Sequence, residues 1–360
     1  MHMPNRITED PIEQTVLLTD EMKAMVRLPY ALRHLPVSAI SSLLPYARAP
    51  RSGDVVLAQL EKIGKNTRLE LASGRSCNLH VGDHLAVTFG NRYATAQFEG
   101  FAHSDEENCD LLSMGGVCGL VKSKHDGVAE PSKLRILGSL GDAQGRPLQL
   151  RDFALSRGPA TRKPNIVVVC GSSMDSGKTH TAVNLILGLR RDRHRVASIK
   201  LTGTATGRDL WKTMDTGACV ALDFVDGGHP STYLCALPEL LELHTLLVSH
   251  AANRGADWVV IEIADGLLQR ETSALLQSAA FRNTVDAWVF ATGDPLGALG
   301  GLSTLKGWGI EPVAISGLIT MSHLLMREAE SVTGVQCVSA DQLAAGMLNE
   351  SLREIAEGRE

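Results

Sequence analysis

The feature that most narrows what this chain can fold into is a short apolar run, Asn165 to Cys170 (NIVVVC). It leads directly into GSSMDSGKT, residues 171 to 179, and then into a helix-like stretch, HTAVNLILGLRR. A strand, a small-residue turn and a helix start in that order form a phosphate cradle. Small residues let backbone N–H groups wrap phosphate oxygens, a lysine reaches the outer phosphates, and a hydroxyl at the helix start can meet Mg²⁺. Gly177, Lys178 and Thr179 fill those roles. Counting back from Gly177, the position usually held by glycine is Ser172, with Gly171 one residue early, so the loop is stretched by one residue. Ser173, Met174, Asp175, Ser176, Gly177, Lys178, Thr179 and His180 are therefore the expected nucleotide-contacting set. Lys178 and Asp175 are expected at the reacting centre.

The flanking sequence supplies the frame for such a loop. Arg157 to Pro164 (RGPATRKP) has the Pro, Gly and basic content of a linker, and beyond it strand-like and helix-like segments alternate. Strands are expected at 165–170, 195–200, 257–263, 285–291, 311–319 and 334–339. Helices are expected at 177–191, 238–254, 270–281, 295–307, 322–332 and 341–356. This alternation implies α/β architecture with a mostly parallel sheet, whose ligands bind outside the C-terminal strand edge. Before the linker, residues 53–156 break into short β-like runs bounded by turn residues, which suggests a smaller all-β barrel or sandwich domain. Residues 1–52, with a helix-like stretch from Asp20 to Leu44 broken by Pro29 and Pro36 and followed by Pro45, read as an N-terminal helical appendage. The P-loop nucleotide-binding α/β domain is placed at 165–360.

Composition excludes several classes. At 360 residues with 44% apolar and 21% charged side chains, the chain can bury two cores. A formal net charge of −5 offers no basic field for a nucleic-acid backbone. The polar, acidic first fifteen residues lack an export signal, and no apolar run approaches the roughly 18 residues that span a bilayer. Seven scattered cysteines without a CxxC pair argue against a disulfide framework or a zinc site. A cytoplasmic, membrane-free protein acting on a small-molecule substrate is expected.

The stretched loop GSSMDSGKT, with an acidic residue two before the second glycine, resembles the phosphate loop of dethiobiotin synthetase and its relatives within the wider class of P-loop ATPases and GTPases. The lysine that the septum-site branch carries four before the second glycine is Ser173 here. The resemblance covers about half the chain, 165–339, and implies ATP and Mg²⁺ as cofactors and a homodimer. It also implies that Lys200, closing RVASIK, faces substrate and phosphate, with Thr202, Thr204 and Thr206 competing for the hydroxyl that follows. Glu262 sits near the end of the expected strand 257–263, and Glu262 and Asp265 compete, beside Thr179, for the metal. In the place where relatives often carry an adenine-reading asparagine stands Thr320, so ATP and GTP both remain open, with ATP favoured by the resemblance.

The polar stretch DTGACVALDFVDGGHPSTY, 215–233, with Asp215, Asp223, Asp226, His229, Ser231, Thr232 and Tyr233, is as a group the candidate substrate wall, Asp215, Asp226, Ser231 and Thr232 foremost, with Arg208 and Asp209 on the approach. Arg270, at an expected helix start, is a candidate anion dock. These readings converge on an ATP- and Mg²⁺-dependent enzyme that activates a small polar metabolite, a carboxylate or carbamate, by phosphoryl transfer for C–N bond formation. A small-molecule kinase uses the same parts. A regulatory or assembly NTPase would act on a protein partner instead, and an N-terminal RNA-binding barrel would make the protein a polynucleotide kinase. Residues 1–153 are left either to cap the site or to bind substrate.

Overall fold

The computed structural model describes residues 7–8, 10–46 and 49–358. Part of the polar start, read above as free of an export signal, lies outside the described residues. The chain divides into two compact units. The first is Met1–Leu155 with Thr204–Arg208 and Phe224–Tyr233; the second is Ser156–Gly203, Asp209–Asp223 and Leu234–Glu360. No helix among the described residues is long and apolar enough to cross a membrane.

The first unit is built on strands β1 (Val16–Leu17), β2 (Ser42–Leu44), β3 (Val55–Lys62), β4 (Arg68–Glu70), β5 (Ser76–Asn78), β6 (His84–Phe89), β7 (Phe98–Phe101), β8 (Asn108–Leu111), β9 (Val117–Lys124) and β10 (Ser132–Gly141). β3 pairs with β6, β6 with β9, β9 with β8, β8 with β10, and β10 with β3, so these strands form a closed circuit. The period-2 pattern explains what fills it. Val56, Ala58 and Leu60 of β3, Leu85, Val87 and Phe89 of β6, and Leu134 and Ile136 of β10 share one core. The alternate residues Val55, Leu57, Ala86 and Leu137 face outward and are also buried, against Leu32, Ile40 and Leu43. The N-terminal segment is thus a cover on this sheet. Within the expected helical stretch of 20–44, only α1 (Asp20–Met25) is α-helical, and β2 pairs with β10. The prolines at 29 and 36 each precede a single 3₁₀ turn, where their fixed φ is tolerated.

The second unit carries a six-stranded parallel sheet in the order β13-β12-β14-β11-β15-β16. Its strands are β11 (Asn165–Gly171), β12 (Val196–Lys200), β13 (Val220–Asp223), β14 (Trp258–Glu262), β15 (Ala287–Ala291) and β16 (Ala314–Ser316). Its helices are α2 (Lys178–Arg191), α3 (Arg208–Asp215), α4 (Leu237–Asn253), α5 (Arg270–Gln277), α6 (Ala279–Arg282), α7 (Pro295–Gly307), α8 (His323–Thr333), α9 (Ala340–Ala344) and α10 (Asn349–Glu357). Leu185, Ile186 and Leu189 of α2 and Leu352 of α10 pack on Val167, Val169, Val260 and Val289, while Ala298, Met326 and Ala329 of α7 and α8 pack with Ile315. The expected strand at 334–339 reduces to one parallel bridge, Ile315 to Cys337. The sequence reading missed β13 and α3, both short and both inside or beside the stretch taken as a loop.

Candidate active site

β11, the central strand, ends at Gly171, and the chain turns through residues 172–177 into α2. Gly177 caps that helix at φ +96°, and Asp175 lies at φ +60°, a left-handed conformation rare for a residue with a side chain. Backbone from two other strand ends supports the turn. A Cβ on Gly266, after β14, would meet Ser172 O at 2.4 Å, and one on Gly317, after β16, would meet Ser176 O at 2.3 Å. Leu318 N donates to Ser176 O at 3.1 Å. Inside the turn, Ser176 is 2% exposed and its Oγ is buried without a hydrogen-bond partner. An orphaned hydroxyl beside free backbone N–H groups at a helix start is chemistry that suits a phosphate group.

Charged side chains converge on the same edge through strand register. Lys200 pairs with Asp223 on one side and Glu262 on the other, so β13, β12 and β14 set carboxylate, ammonium and carboxylate in one row. Lys200 Nζ bonds Asp209 Oδ2 and lies 3.7 Å from Glu262 Oε1. Burial alone would favour neutral Lys200, but Glu262 and Asp209 outweigh it and hold the pKa above the usual lysine value. Lys178 is the opposite case. It is 6% exposed, its Nζ donates to Ser173 O at 2.6 Å, and burial pulls its pKa below the usual value against the opposing charges of Glu262 and Asp265. Thr179 Oγ1 donates to Glu262 Oε1 at 2.9 Å. Thr202 Oγ1 accepts from Ala264 N at 2.9 Å, tying the turn after β12 to the turn after β14.

Among the expected site residues, Lys178, Thr179, Lys200 and Glu262 therefore come together, and Asp265 is near enough to act on the Lys178 charge. Ser173, Asp175 and His180 are exposed along the turn and the start of α2, and Met174 is half-buried. The substrate candidates divide between the two units. Asp215 is exposed at the end of α3. Arg270 is exposed at the start of α5 and donates from Nε to Glu271 Oε1 at 2.8 Å. Thr204, Asp226, Ser231 and Thr232 belong to the first unit. There Asp226, 4% exposed, accepts from Arg33 Nη2 at 2.7 Å and faces His34 Nε2 at 2.6 Å, Thr204 bridges to Ser231, and Thr232 is 2% exposed.

Sequence reading took Asp223 as part of the presumed loop and not as a strand end beside Lys200, and it missed the supporting roles of Gly266 and Gly317. Among the described residues no group of three or more His, Cys, Asp or Glu side chains is arranged to hold a metal. Thr179 and Glu262 fit a divalent cation that takes its remaining ligands from phosphate oxygens.

No family model and no curated protein matches the chain. Solved structures resemble part of it. The signal recognition particle 54 kDa protein from Aeropyrum pernix K1, in complex with GDP, is 19% identical over 55% of this chain and 49% of that one, with a TM-score of 0.37. The signal recognition particle receptor FtsY from Elizabethkingia anophelis, in complex with GDP, is 13% identical over 52% and 60%, with a TM-score of 0.35. FtsY from Mycoplasma mycoides is 11% identical over 55% and 70%, with a TM-score of 0.35. The chain spans about half the length of the first of these. Its own parallel sheet and glycine-supported turn at the start of α2 give the second unit an α/β fold with the strand–turn–helix arrangement of a P-loop.

Proposed function

We propose that the second unit is an ATP- and Mg²⁺-dependent enzyme that transfers a phosphoryl group to a small polar acceptor, a carboxylate in the dethiobiotin synthetase-like reading, so that a nucleophile can then close a C–N bond. The observation that supports this reading is the Asp223-Lys200-Glu262 row beside Thr179. A nucleotide-hydrolysing scaffold has no need of a second lysine held charged at the neighbouring strand end. An acceptor carboxylate does need one, to dock it and to offset charge that builds during transfer.

Bound ATP with Mg²⁺ would supply the electrophilic γ-phosphoryl group, and the chain's residues do the rest by position and charge. Lys178 would exchange Ser173 O for phosphate oxygens, and its weakened basicity means the buried ammonium gains most when an anion arrives. Thr179 and Glu262 would hold the cation. Lys200, locked by Asp209, would orient the acceptor oxygen. A small-molecule kinase shares every one of these roles and differs only in releasing a stable phosphate ester.

The test is phosphate release from ATP or GTP with Mg²⁺ across a metabolite library, with Lys178→Ala as control. Metabolite-stimulated turnover that the variant loses supports the proposal, and a phosphorylated product in place of free phosphate selects the kinase. Stimulation by a protein partner alone would replace it with a switch NTPase.

A further inference from the structure

The first unit has a cavity of its own. It measures about 650 Å³ and opens between the segment 26–28 and the β4–β5 hairpin. Ligand cavities commonly hold about 300–1,000 Å³. The backbone frames it on both sides: Arg27 bridges to Leu85, Pro29 bridges to Leu71, and Ala72 N donates to Leu28 O at 3.2 Å. Leu28, Leu71 and Cys77 supply an apolar floor.

The charged side chains in the wall are guanidinium groups, joined by one imidazole. Arg27, Arg75 and His80 line the cavity, and no Asp or Glu does, in a chain whose formal charge is −5. The Arg27 guanidinium is fixed in the wall. Nη1 donates to Asn78 O at 2.7 Å and to Cys77 Sγ at 3.3 Å, and Nη2 donates to Asp83 Oδ1 at 2.7 Å. Arg75 and His80 are different. Both are exposed, and neither side chain has a hydrogen-bond or ion-pair partner among the described residues. The hairpin turn sets Arg75 in place, with Leu71 N donating to Arg75 O at 2.9 Å, and His80 N donates to Asp83 Oδ2 at 2.7 Å. Two N–H donor side chains without partners, a guanidinium and an imidazole, are thus held on ordered backbone at the mouth of a cavity that already contains the Arg27 guanidinium.

We propose that this cavity binds a small oxyanion-bearing metabolite, its carboxylate or phosphate group held by Arg75 and His80 against the fixed Arg27 and its short carbon skeleton on Leu28, Leu71 and Cys77. Charge-assisted hydrogen bonds from a guanidinium fork are the strong form of such recognition. The site is independent of the reading given for the second unit.

Isothermal titration of the full chain carrying Lys178→Ala, which disables the phosphate loop as a competing anion site, tests the proposal with inorganic phosphate and citrate as probes. Saturable binding of either probe is expected, weakened about tenfold or more in Arg75→Gln/His80→Gln. Both positions are exposed, so the variant should keep the parent's unfolding midpoint. Arg353→Gln, an exposed charge change in the second unit, serves as the control for non-specific attraction. No saturable binding of either probe, binding that survives Arg75→Gln/His80→Gln, or equal weakening by Arg353→Gln would each overturn the proposal.

Discussion

Thr179 Oγ1 donates to Glu262 Oε1 at 2.9 Å, and the same carboxylate oxygen lies 3.7 Å from Lys200 Nζ. One buried carboxylate, 5% exposed, therefore faces both the hydroxyl that would meet a cation and the ammonium that would meet an acceptor. Glu262 is the hinge of the site's electrostatics.

Glu262→Gln keeps the shape and removes the charge. Under the proposed function, Mg²⁺-dependent triphosphate turnover should fall about 10²-fold or more. Nucleotide binding measured with Mg²⁺ chelated should change little, because the phosphate turn itself is intact. Equal losses with and without Mg²⁺ would assign Glu262 a purely structural role.

Gly317 combines φ +91° with a backbone approach that leaves no room for a side chain, since a Cβ would stand 2.3 Å from Ser176 O. Gly317→Ala should cost about 1–3 kcal/mol in denaturant unfolding and should displace the phosphate turn, abolishing nucleotide binding. Gly300, inside α7 with nothing within 4 Å, is the contrast. Gly300→Ala should stabilise by about 0.5–1 kcal/mol through helix propensity and leave binding alone. If both variants behave alike, the turn is not supported from Gly317.

The two predictions differ in how much the sequence could tell. The phosphate turn was legible because its information is local: strand, small residues, lysine, hydroxyl and helix follow one another without a break. Lys200 and Glu262 were legible as charged residues at strand ends. Asp223 was legible only as one of several polar residues in a presumed loop, because β13 has four residues and follows an eight-residue helix, both too short to show a period in a polar stretch. Gly266 and Gly317 act through contacts far away in sequence, which no local pattern carries. Ser231 and Thr232, which their polarity marked as part of a binding wall, belong to the first unit and are 3% and 2% exposed. The N-terminal segment failed as a helix because Pro29 and Pro36 break the helically spaced run of Leu28, Leu32 and Leu35 into single 3₁₀ turns, and these leucines instead cover the outward face of β3, β6 and β10.

His244 of α4 is 4% exposed, stacks edge-on against Phe281 at 4.9 Å, and has one ring nitrogen 3.0 Å from Thr284 Oγ1 while Nδ1 has no partner. Burial lowers its pKa from 6.5 to about 4. The unfolded chain therefore binds this proton more readily than the folded one, and stability falls as pH drops from about 6.5 towards 4. Between pH 7 and 5 the loss from this group should be about 2 kcal/mol. Denaturant titrations of the parent and His244→Gln at the two pH values measure it. The variant should have a flatter pH dependence by that amount, and an unchanged slope would show that other groups set the acid limit.

Lys178 and Lys200 are both largely buried lysines at one sheet edge, and their opposite pKa directions predict opposite costs of removal. Lys178 is held mainly by a loop carbonyl and is disfavoured by its own burial. Replacing it with methionine removes a poorly solvated charge, so Lys178→Met should leave stability within about 1 kcal/mol of the parent or raise it, while nucleotide binding is lost. Lys200 is held charged by Glu262 and Asp209, so it contributes stability across the neutral range and loses it only above the usual lysine pKa. Lys200→Met leaves those carboxylates facing one another without their cation, which should cost about 3 kcal/mol. Adding Asp209→Asn removes part of that repulsion, so the double variant should recover stability without recovering activity. Chemical denaturation of the three variants reads all of this. A Lys200→Met protein as stable as Lys178→Met would mean the carboxylates are solvated well enough to stand alone, and the charged row would lose its standing as the organising feature of the site.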